Sequence, residues 1–190
     1  VKVSKAALTP TLAFPFAAPG VSGSLAEVGG NAETQARLLL WSVERTIARL
    51  SELTQASDAA VRTHVILPGS PNRGTFGGDG AYGEVKAALD AVVNKWSAET
   101  GWPDGVTLAQ ARIGWVSGTA LMGGNDLLIP AAREAGIHVW DPDEISTELM
   151  SLASADARAR AAQHPLDLDL TGGLADANVS IAQLARQVRA

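Results

Sequence analysis

The sequence contains no cysteine, one tyrosine and only three histidines in 190 residues. Without cysteine there is no disulfide, no thiolate nucleophile and no thiolate metal site. His64, His138 and His164 are scattered without metal-ligand spacing, and neither HExxH nor GxSxG occurs, so no metal site, zincin or esterase-type hydrolase is expected. Basic residues are in the minority as well. Fifteen Lys and Arg against twenty Asp and Glu leave a net charge of −5, without the basic stripe that a phosphate backbone requires, which argues against nucleic acid as a partner. No apolar run approaches the roughly 20 residues that span a bilayer, and the first residues lack the basic end, apolar core and small-residue cleavage site of a signal peptide. The expectation is a soluble, cytoplasmic chain with no membrane partner. What is present, 46% hydrophobic and 18% charged residues, is globular composition of a length that suits one domain.

Thr11 to Ala18 is a short apolar run closed by Pro19 and Gly20 and followed by the Gly- and Ser-rich stretch 21–30, which reads as strand and then loop. From Glu33 to about Leu53 the residues Leu38, Leu39, Trp41, Val43, Ile47 and Leu50 recur near helical spacing among arginines and glutamates, with Asn31 as the capping candidate. Val61 to Leu67 is β-branched and stops at Pro68-Gly69, as a buried strand would. A loop, 70–80, precedes a helix from about Ala81 to Glu99. A third strand falls on Val106 to Trp115, ended by Gly118, and a helix-like segment follows from about Asp126 to Ala135. Asp141-Pro142-Asp143-Glu144 has the acidic first turn and early proline of a helix start. Strand and helix therefore alternate, with connections long enough to make the strands parallel, giving half of a doubly wound α/β sheet. After Ala155 the character changes to an Ala/Arg helix, a break at His164-Pro165, an extended segment, Gly172-Gly173 and a last amphipathic helix from about Asn178. This tail is expected to pack outside the sheet, so that 1–154 and 155–190 form a domain portion and an extension.

The stretch A-Y-G-E-V-K puts Tyr82 and Lys86 four residues apart at a helix start, hence on one face. A phenol ordinarily titrates near pH 10, and a neighbouring ammonium favours its ionised form, which makes it a usable proton donor at neutral pH. Ser70 stands twelve positions earlier, at the C-terminal end of the preceding strand, where open parallel sheets bind ligands. Taken alone, a tyrosine and lysine one turn apart also suit a solvated surface pair, and a serine before Pro71 suits a turn; Thr75 is the alternative hydroxyl. Gly78, Gly80 and Gly83 spell G-x-G-x-x-G, but the preceding strand ends about ten residues too early for the tight turn of a phosphate-binding fingerprint. Those glycines are better read as letting the backbone turn sharply beside Tyr82.

A strand-end serine followed by a helix-borne Tyr-x-x-x-Lys resembles the short-chain dehydrogenase/reductase superfamily. The resemblance implies that Ser70 donates a hydrogen bond to a carbonyl oxygen, Tyr82 gives the proton, and Lys86 holds the nicotinamide ribose and lowers the tyrosine pKa. It also puts Trp115, Val116 and Thr119, in the segment A-R-I-G-W-V-S-G-T-A-L-M, where backbone and hydroxyl contacts to the nicotinamide fall.

Two longer blocks, P-G-S-P-N-R-G-T-F-G-G-D-G-A-Y-G-E-V-K at 68–86 and I-G-W-V-S-G-T-A-L-M-G-G-N-D at 113–126, resemble the ketoreductase domain of type I fatty acid synthases. F-P-F-A-A-P at 14–19, W-D-P-D-E-I-S-T-E-L-M-S-L-A-S at 140–154 and P-L-D-L-D-L-T-G-G-L at 165–174 agree, the last resembling the connection toward the ketosynthase. The Ala-, Arg- and Asp-rich composition hints at an actinobacterial, mycobacteria-like member. The resemblance implies a Rossmann-like fold and NADPH-dependent reduction of 3-oxoacyl chains, delivered by an acyl carrier protein, to the (R)-3-hydroxyacyl form. It implies a large homo-oligomeric synthase as the setting, such as a hexamer. Two departures stand out: Ser42 occupies the position nearest the superfamily's usual helix asparagine, and no dinucleotide fingerprint precedes the first strand. The chain therefore reads as the C-terminal part of the reductase, inactive alone and partnered by an upstream half. A structural piece of the synthase scaffold and an unrelated nucleotide-binding domain are the competing readings.

Overall fold

The computed structural model describes residues 9–27, 29–57, 61–119 and 123–176, together with 183, 184, 186 and 188. Two strands, β2 (Thr63–Gly69) and β3 (Val106–Ile113), form the centre of a four-stranded parallel sheet. Both are buried along almost their whole length, because helices cover both faces and leave no side for polar residues. The flanking strands are β1 (Leu12–Ala13), beside β2, and β4 (Leu166–Leu170), beside β3. The sheet order is β1-β2-β3-β4. The sequence L-D-L-D-L of β4 alternates as an edge strand should, with Asp167 and Asp169 turned to Arg112 at 3.0 and 3.7 Å.

One face of the sheet is covered by α2 (Ser42–Gln55) and α3 (Tyr82–Ala98). Val43, Ile47 and Leu50 of α2 and Leu89, Val92 and Trp96 of α3 pack on Val65, Leu67, Val106 and Leu108. The other face carries Ile145 and Leu152, of α5 (Pro142–Ser151) and its C-terminus, against Ile66, Ala109 and Ala111, with α6 (Ala155–Ala161) beside β3. Helix α5 starts as its sequence predicts: Asp141 Oδ1 accepts from the Asp143 and Glu144 amides at 2.8 Å, and Glu144 Oε2 accepts from the Asp141 amide at 3.0 Å. A third cluster, around Trp115, Leu128, Ile137, Val139 and Leu174, closes the C-terminal end of the sheet and includes α4 (Ile129–Glu134), which continues a 3-10 turn at Gly123–Leu128.

The expected helix over residues 33–53 begins earlier and is not uniform. α1 (Gly30–Ala36) passes through a π-turn at Arg37–Trp41 directly into α2. Its cap is Gly29 rather than Asn31, without a side-chain hydrogen bond. The first strand is two residues long instead of eight: Pro15 supplies no ladder donor, and the Phe16 amide bonds back to the Phe14 carbonyl at 2.9 Å. The third strand stops at Ile113 because the chain at Gly114 meets the end of β4. A Cβ there would lie 2.3 Å from the Thr171 carbonyl oxygen. The largest difference is the tail: residues 166–170, expected outside the sheet, are its fourth strand, in register Ala109 to Leu166 through Ile113 to Leu170. The change of character after Ala155 is real, since α6 is short and rich in Ala and Arg, yet α6 lies against the sheet. The last expected helix, from Asn178, falls largely outside the described residues.

Candidate active site

Strand β2 delivers the chain to Ser70 at its C-terminal end, and residues 70–81 form a glycine-rich loop before α3 opens at Tyr82. Gly74, Gly77, Gly78 and Gly80 all have φ between 60 and 84°, conformations that favour glycine. Gly83 has a different reason, since a Cβ there would stand 2.7 Å from the Gly74 amide nitrogen. The G-x-G-x-x-G pattern thus folds a loop onto the first turn of a helix, without the tight strand-to-helix turn of a phosphate cradle.

The loop and helix bring Ser70, Tyr82 and Lys86 together. The Ser70 hydroxyl oxygen accepts from the Asn72 amide at 3.1 Å, which leaves its own proton to be donated, and it lies within hydrogen-bonding reach of the Tyr82 side chain. Lys86 is 3% exposed; its Nζ donates to the Pro68 carbonyl at 2.6 Å and lies 5.5 Å from the centre of the Tyr82 ring. Burial pushes the Lys86 ammonium down from 10.5 to about 8. Burial pushes the Tyr82 phenol above its ordinary value; the Ser70 hydroxyl pulls it down and the Asp79 carboxylate pushes it up. This differs from the expectation that Lys86 would pull the phenol down: desolvation outweighs the hydroxyl. Thr75, the alternative hydroxyl, is exposed in the loop, whereas Ser70 is buried.

Sequence reasoning did not single out the residues that hold this loop. Asp79 Oδ2 accepts from Asn72 Nδ2 at 2.8 Å and from the Gly83 amide at 3.0 Å, and Asn72 Oδ1 accepts from the Gly74 amide at 2.9 Å. Gln35, 1% exposed, reaches from α1 to accept from the Ala81 amide at 2.8 Å and to donate to the Asp79 carbonyl at 3.3 Å. Arg73 pairs with Asp90 of α3 at 2.7 Å, and Gln110 of β3 donates to the same carboxylate at 2.8 Å. An asparagine and an aspartate bracketing a glycine run were a legible turn signal, but a glutamine on an otherwise apolar helical stripe gave none.

Trp115, Val116 and Thr119 lie beyond the end of β3, at the same end of the sheet as Ser70. The Trp115 indole is fully buried in the third cluster, on which Phe76 of the glycine-rich loop also packs, and its Nε1 has no hydrogen-bond partner. Its side chain is therefore core, and its carbonyl accepts from the Trp140 amide at 2.9 Å. Val116 is bridged to Trp140, and the Thr119 hydroxyl donates to the Val116 carbonyl at 3.1 Å. Ser42 donates to the Leu38 carbonyl of its own helix at 2.5 Å rather than toward Lys86. A surface cavity of about 460 Å³, lined by Arg133, His138, Asp141 and Glu144 among others, does not include Ser70, Tyr82 or Lys86. Among the described residues no cluster of three His, Asp or Glu could hold a metal, and no helix is long and apolar enough to cross a membrane.

No family model matches the chain. It is 35% identical over 165 residues to the fatty acid synthase alpha subunit of Dothistroma septosporum, covering 85% of this chain and 10% of that one. It is 33% identical over 163 residues to fatty acid synthase subunit alpha of Saccharomyces cerevisiae, covering 85% and 9%. The chain is homologous to a segment of fungal fatty acid synthase alpha subunits and spans about a tenth of the length of these curated relatives. Among solved structures it superposes on 3-oxoacyl-[acyl-carrier protein] reductase from Brucella melitensis in complex with NAD, with a TM-score of 0.70 at 16% identity, covering 88% of this chain and 68% of that one. A 4-hydroxyisoleucine dehydrogenase mutant complexed with NADH and succinate gives 0.70 at 15% identity, covering 85% and 68%. These likenesses establish the fold, a Rossmann-like α/β sheet in which four parallel strands are present.

Proposed function

We propose that this chain is the C-terminal part of the ketoreductase domain of a fatty acid synthase, and that it reduces 3-oxoacyl chains carried on an acyl carrier protein to the (R)-3-hydroxyacyl form. The observation that carries the reading is that Ser70 at the carboxyl end of a parallel strand and the buried Lys86 ammonium, 5.5 Å from the ring centre, both stand beside Tyr82. Homology to a fatty acid synthase segment supports it. In this reading 155–190 carries the last strand of the sheet and the connection toward the ketosynthase, and an upstream half of the reductase completes the domain. A homo-oligomeric synthase, such as a hexamer, is the setting. Its actinobacterial character rests on composition alone.

The residues present fit the nicotinamide end of NADPH. Lys86 brings three ammonium hydrogens to a nearly water-free position where the Pro68 carbonyl accepts one, which leaves donors for a ribose diol. Among the described residues no tight glycine turn suits the pyrophosphate, so the upstream half supplies that end. When bound, the nicotinamide supplies hydride to C3 of the 3-oxoacyl group. Tyr82 would give its phenolic proton to the carbonyl oxygen, so that with the hydride at C3 the ketone becomes a secondary alcohol. Ser70, its oxygen already accepting from Asn72, donates to the same oxygen as negative charge builds there. A phenol held above its ordinary pKa stays protonated until the transfer, and the Lys86 charge stabilises the phenolate left behind. Trp115 and Val116 act through backbone atoms and Thr119 through its hydroxyl, at the nicotinamide edge.

The test is NADPH consumption with a 3-oxoacyl thioester by the polypeptide that contains this chain, with and without Tyr82→Phe. A loss of about a hundredfold or more, within the usual contribution of a positioned general acid, is expected. An unchanged rate would overturn the reading in favour of a scaffold segment.

A further inference from the structure

The loop between β2 and α3 carries eleven residues between Gly69 and Ala81, four of them glycines, enough for many conformations, yet its two ends must present a hydroxyl and a phenol to one another. Four connections meet at Asp79. Its carboxylate oxygen holds Asn72, whose own amide is bonded to the Ser70 hydroxyl oxygen. The same oxygen holds the Gly83 amide, immediately after Tyr82, and the Asp79 carbonyl accepts from the Tyr82 amide at 3.1 Å. Gln35 also donates to the Asp79 carbonyl, at 3.3 Å. One side chain therefore touches both the segment that orients Ser70 and the turn that orients Tyr82.

We propose that Asp79 is a positioning residue: clasped to Asn72 and to the Gly83 amide, it holds the Ser70 hydroxyl against the Tyr82 phenol, so that the proton-delivering pair is assembled before any ligand arrives. The proposal rests on the reading of Tyr82 as the proton donor. It separates shape from charge. An asparagine at 79 offers a carboxamide oxygen in the place of Oδ2, able to accept from both Asn72 and Gly83, whereas an alanine offers nothing. Asp79→Ala should therefore release both ends of the loop, and Asp79→Asn should keep them.

The experiment compares Asp79→Ala, Asp79→Asn, Asn72→Ala and Tyr82→Phe in the polypeptide containing this chain, with NADPH and a 3-oxoacyl thioester. Asp79→Ala is expected to lose about ten- to a hundredfold in kcat, the scale of a misplaced reacting group, with the KM for NADPH changed by less than about threefold. Asp79→Asn is expected to restore kcat to within about threefold of the parent. A second readout needs no cofactor. Tyr82 is the one tyrosine in the chain, so its ring-carbon NMR resonance in the full 190-residue chain follows the phenol alone. Because the Asp79 charge pushes the phenol up, its titration midpoint should fall in Asp79→Asn. Should Asp79→Ala not fold, Asn72→Ala opens the same clasp from its other end and carries the same expectation. If the clasp-opening variants keep full kcat while Tyr82→Phe loses it, the positioning role is wrong and the proton-donor reading stands. If Asp79→Asn is as poor as Asp79→Ala, or the midpoint stays put, the role is likewise wrong. If Tyr82→Phe keeps full activity, the reading of the site itself falls.

Discussion

A buried ammonium is costly, and Lys86 lets that cost be measured. Depression from 10.5 to about 8, at about 1.4 kcal/mol for each tenfold change in proton affinity, amounts to about 3 kcal/mol by which the folded state disfavours the charged form. With Lys86 only 3% exposed, solvent screening does not erase this figure. The sign follows from linkage: between about pH 8 and 10.5 the unfolded chain holds the Lys86 proton and the folded chain does not, so stability rises with pH across that window. Below about 8 both states are protonated and the whole penalty applies. Lys86→Met removes the titration, and the orphaned Pro68 carbonyl it leaves behind contributes a constant. Urea unfolding of the chain and of Lys86→Met, both in a Tyr82→Phe background so that no phenolate forms, should show a stability difference that changes by about 2 to 3 kcal/mol between about pH 7 and pH 10, in favour of the lysine at high pH. A difference that is flat across that range would refute the claim that Lys86 is held in a desolvated position.

Other outcomes follow from the same reasoning. His64 is fully buried between the Thr107 hydroxyl at 2.7 Å and the Leu152 carbonyl at 3.0 Å, so Nε2 carries the proton and Nδ1 accepts. Burial lowers its pKa below 6.5; stability should accordingly fall as pH drops below about 6.5, until the folded histidine titrates as well. His64→Leu should abolish that slope while costing about 2 kcal/mol at neutral pH through the two orphaned partners, as urea melts at several pH values would show. Gly114→Ala forces a methyl group to within 2.3 Å of the Thr171 carbonyl oxygen and should destabilise by about 2 kcal/mol or more, read from its urea midpoint. Leu89→Ala, at a site with no solvent exposure between α3 and the sheet, should cost about 2 to 5 kcal/mol in the same measurement.

The sheet was legible because its central strands are short apolar runs, although β2 runs on through Pro68-Gly69, expected as its stop, and β3 ends at Ile113 rather than at Trp115 before Gly118; the helices were legible because their apolar residues repeat at helical spacing. Ser70, Tyr82 and Lys86 were legible for a related reason: a strand end and one helical turn fix their relative positions with little freedom. Strand β4 was missed because three leucines alternating with aspartates after a proline read equally well as an exposed extended tail; only Arg112, distant in sequence, gives those aspartates a place beside β3. The direction of the Tyr82 pKa was missed for a different reason. Spacing reports which charges are near, while desolvation depends on how completely the loop closes over the phenol, and that closure is made by Asn72, Asp79 and Gln35 together. Asn72 and Asp79 signal a turn but not what the turn packs against, and Gln35 gives no signal at all.

The π-turn at Arg37–Trp41 explains how Gln35 comes to serve the loop at all. The inward-facing residues of this continuous helix, Gln35, Leu39, Val43 and Ile47, are spaced by fours. At about 100° per residue an uninterrupted α-helix would rotate each successive member by about 40°, leaving Gln35 about 120° away from Ile47, aimed to the side. A single extra residue accommodated in the wider turn takes back about 100° of that rotation. The helix thus works as an angular offset, in which one added residue aims a polar side chain at a loop while the apolar stripe behind it stays on the sheet. Deleting Leu38 would straighten the helix and place Gln35 eleven residues before Ile47, about 20° from its direction, so the side chain would still face the Asp79 carbonyl and the core stripe of α2 would stay in register.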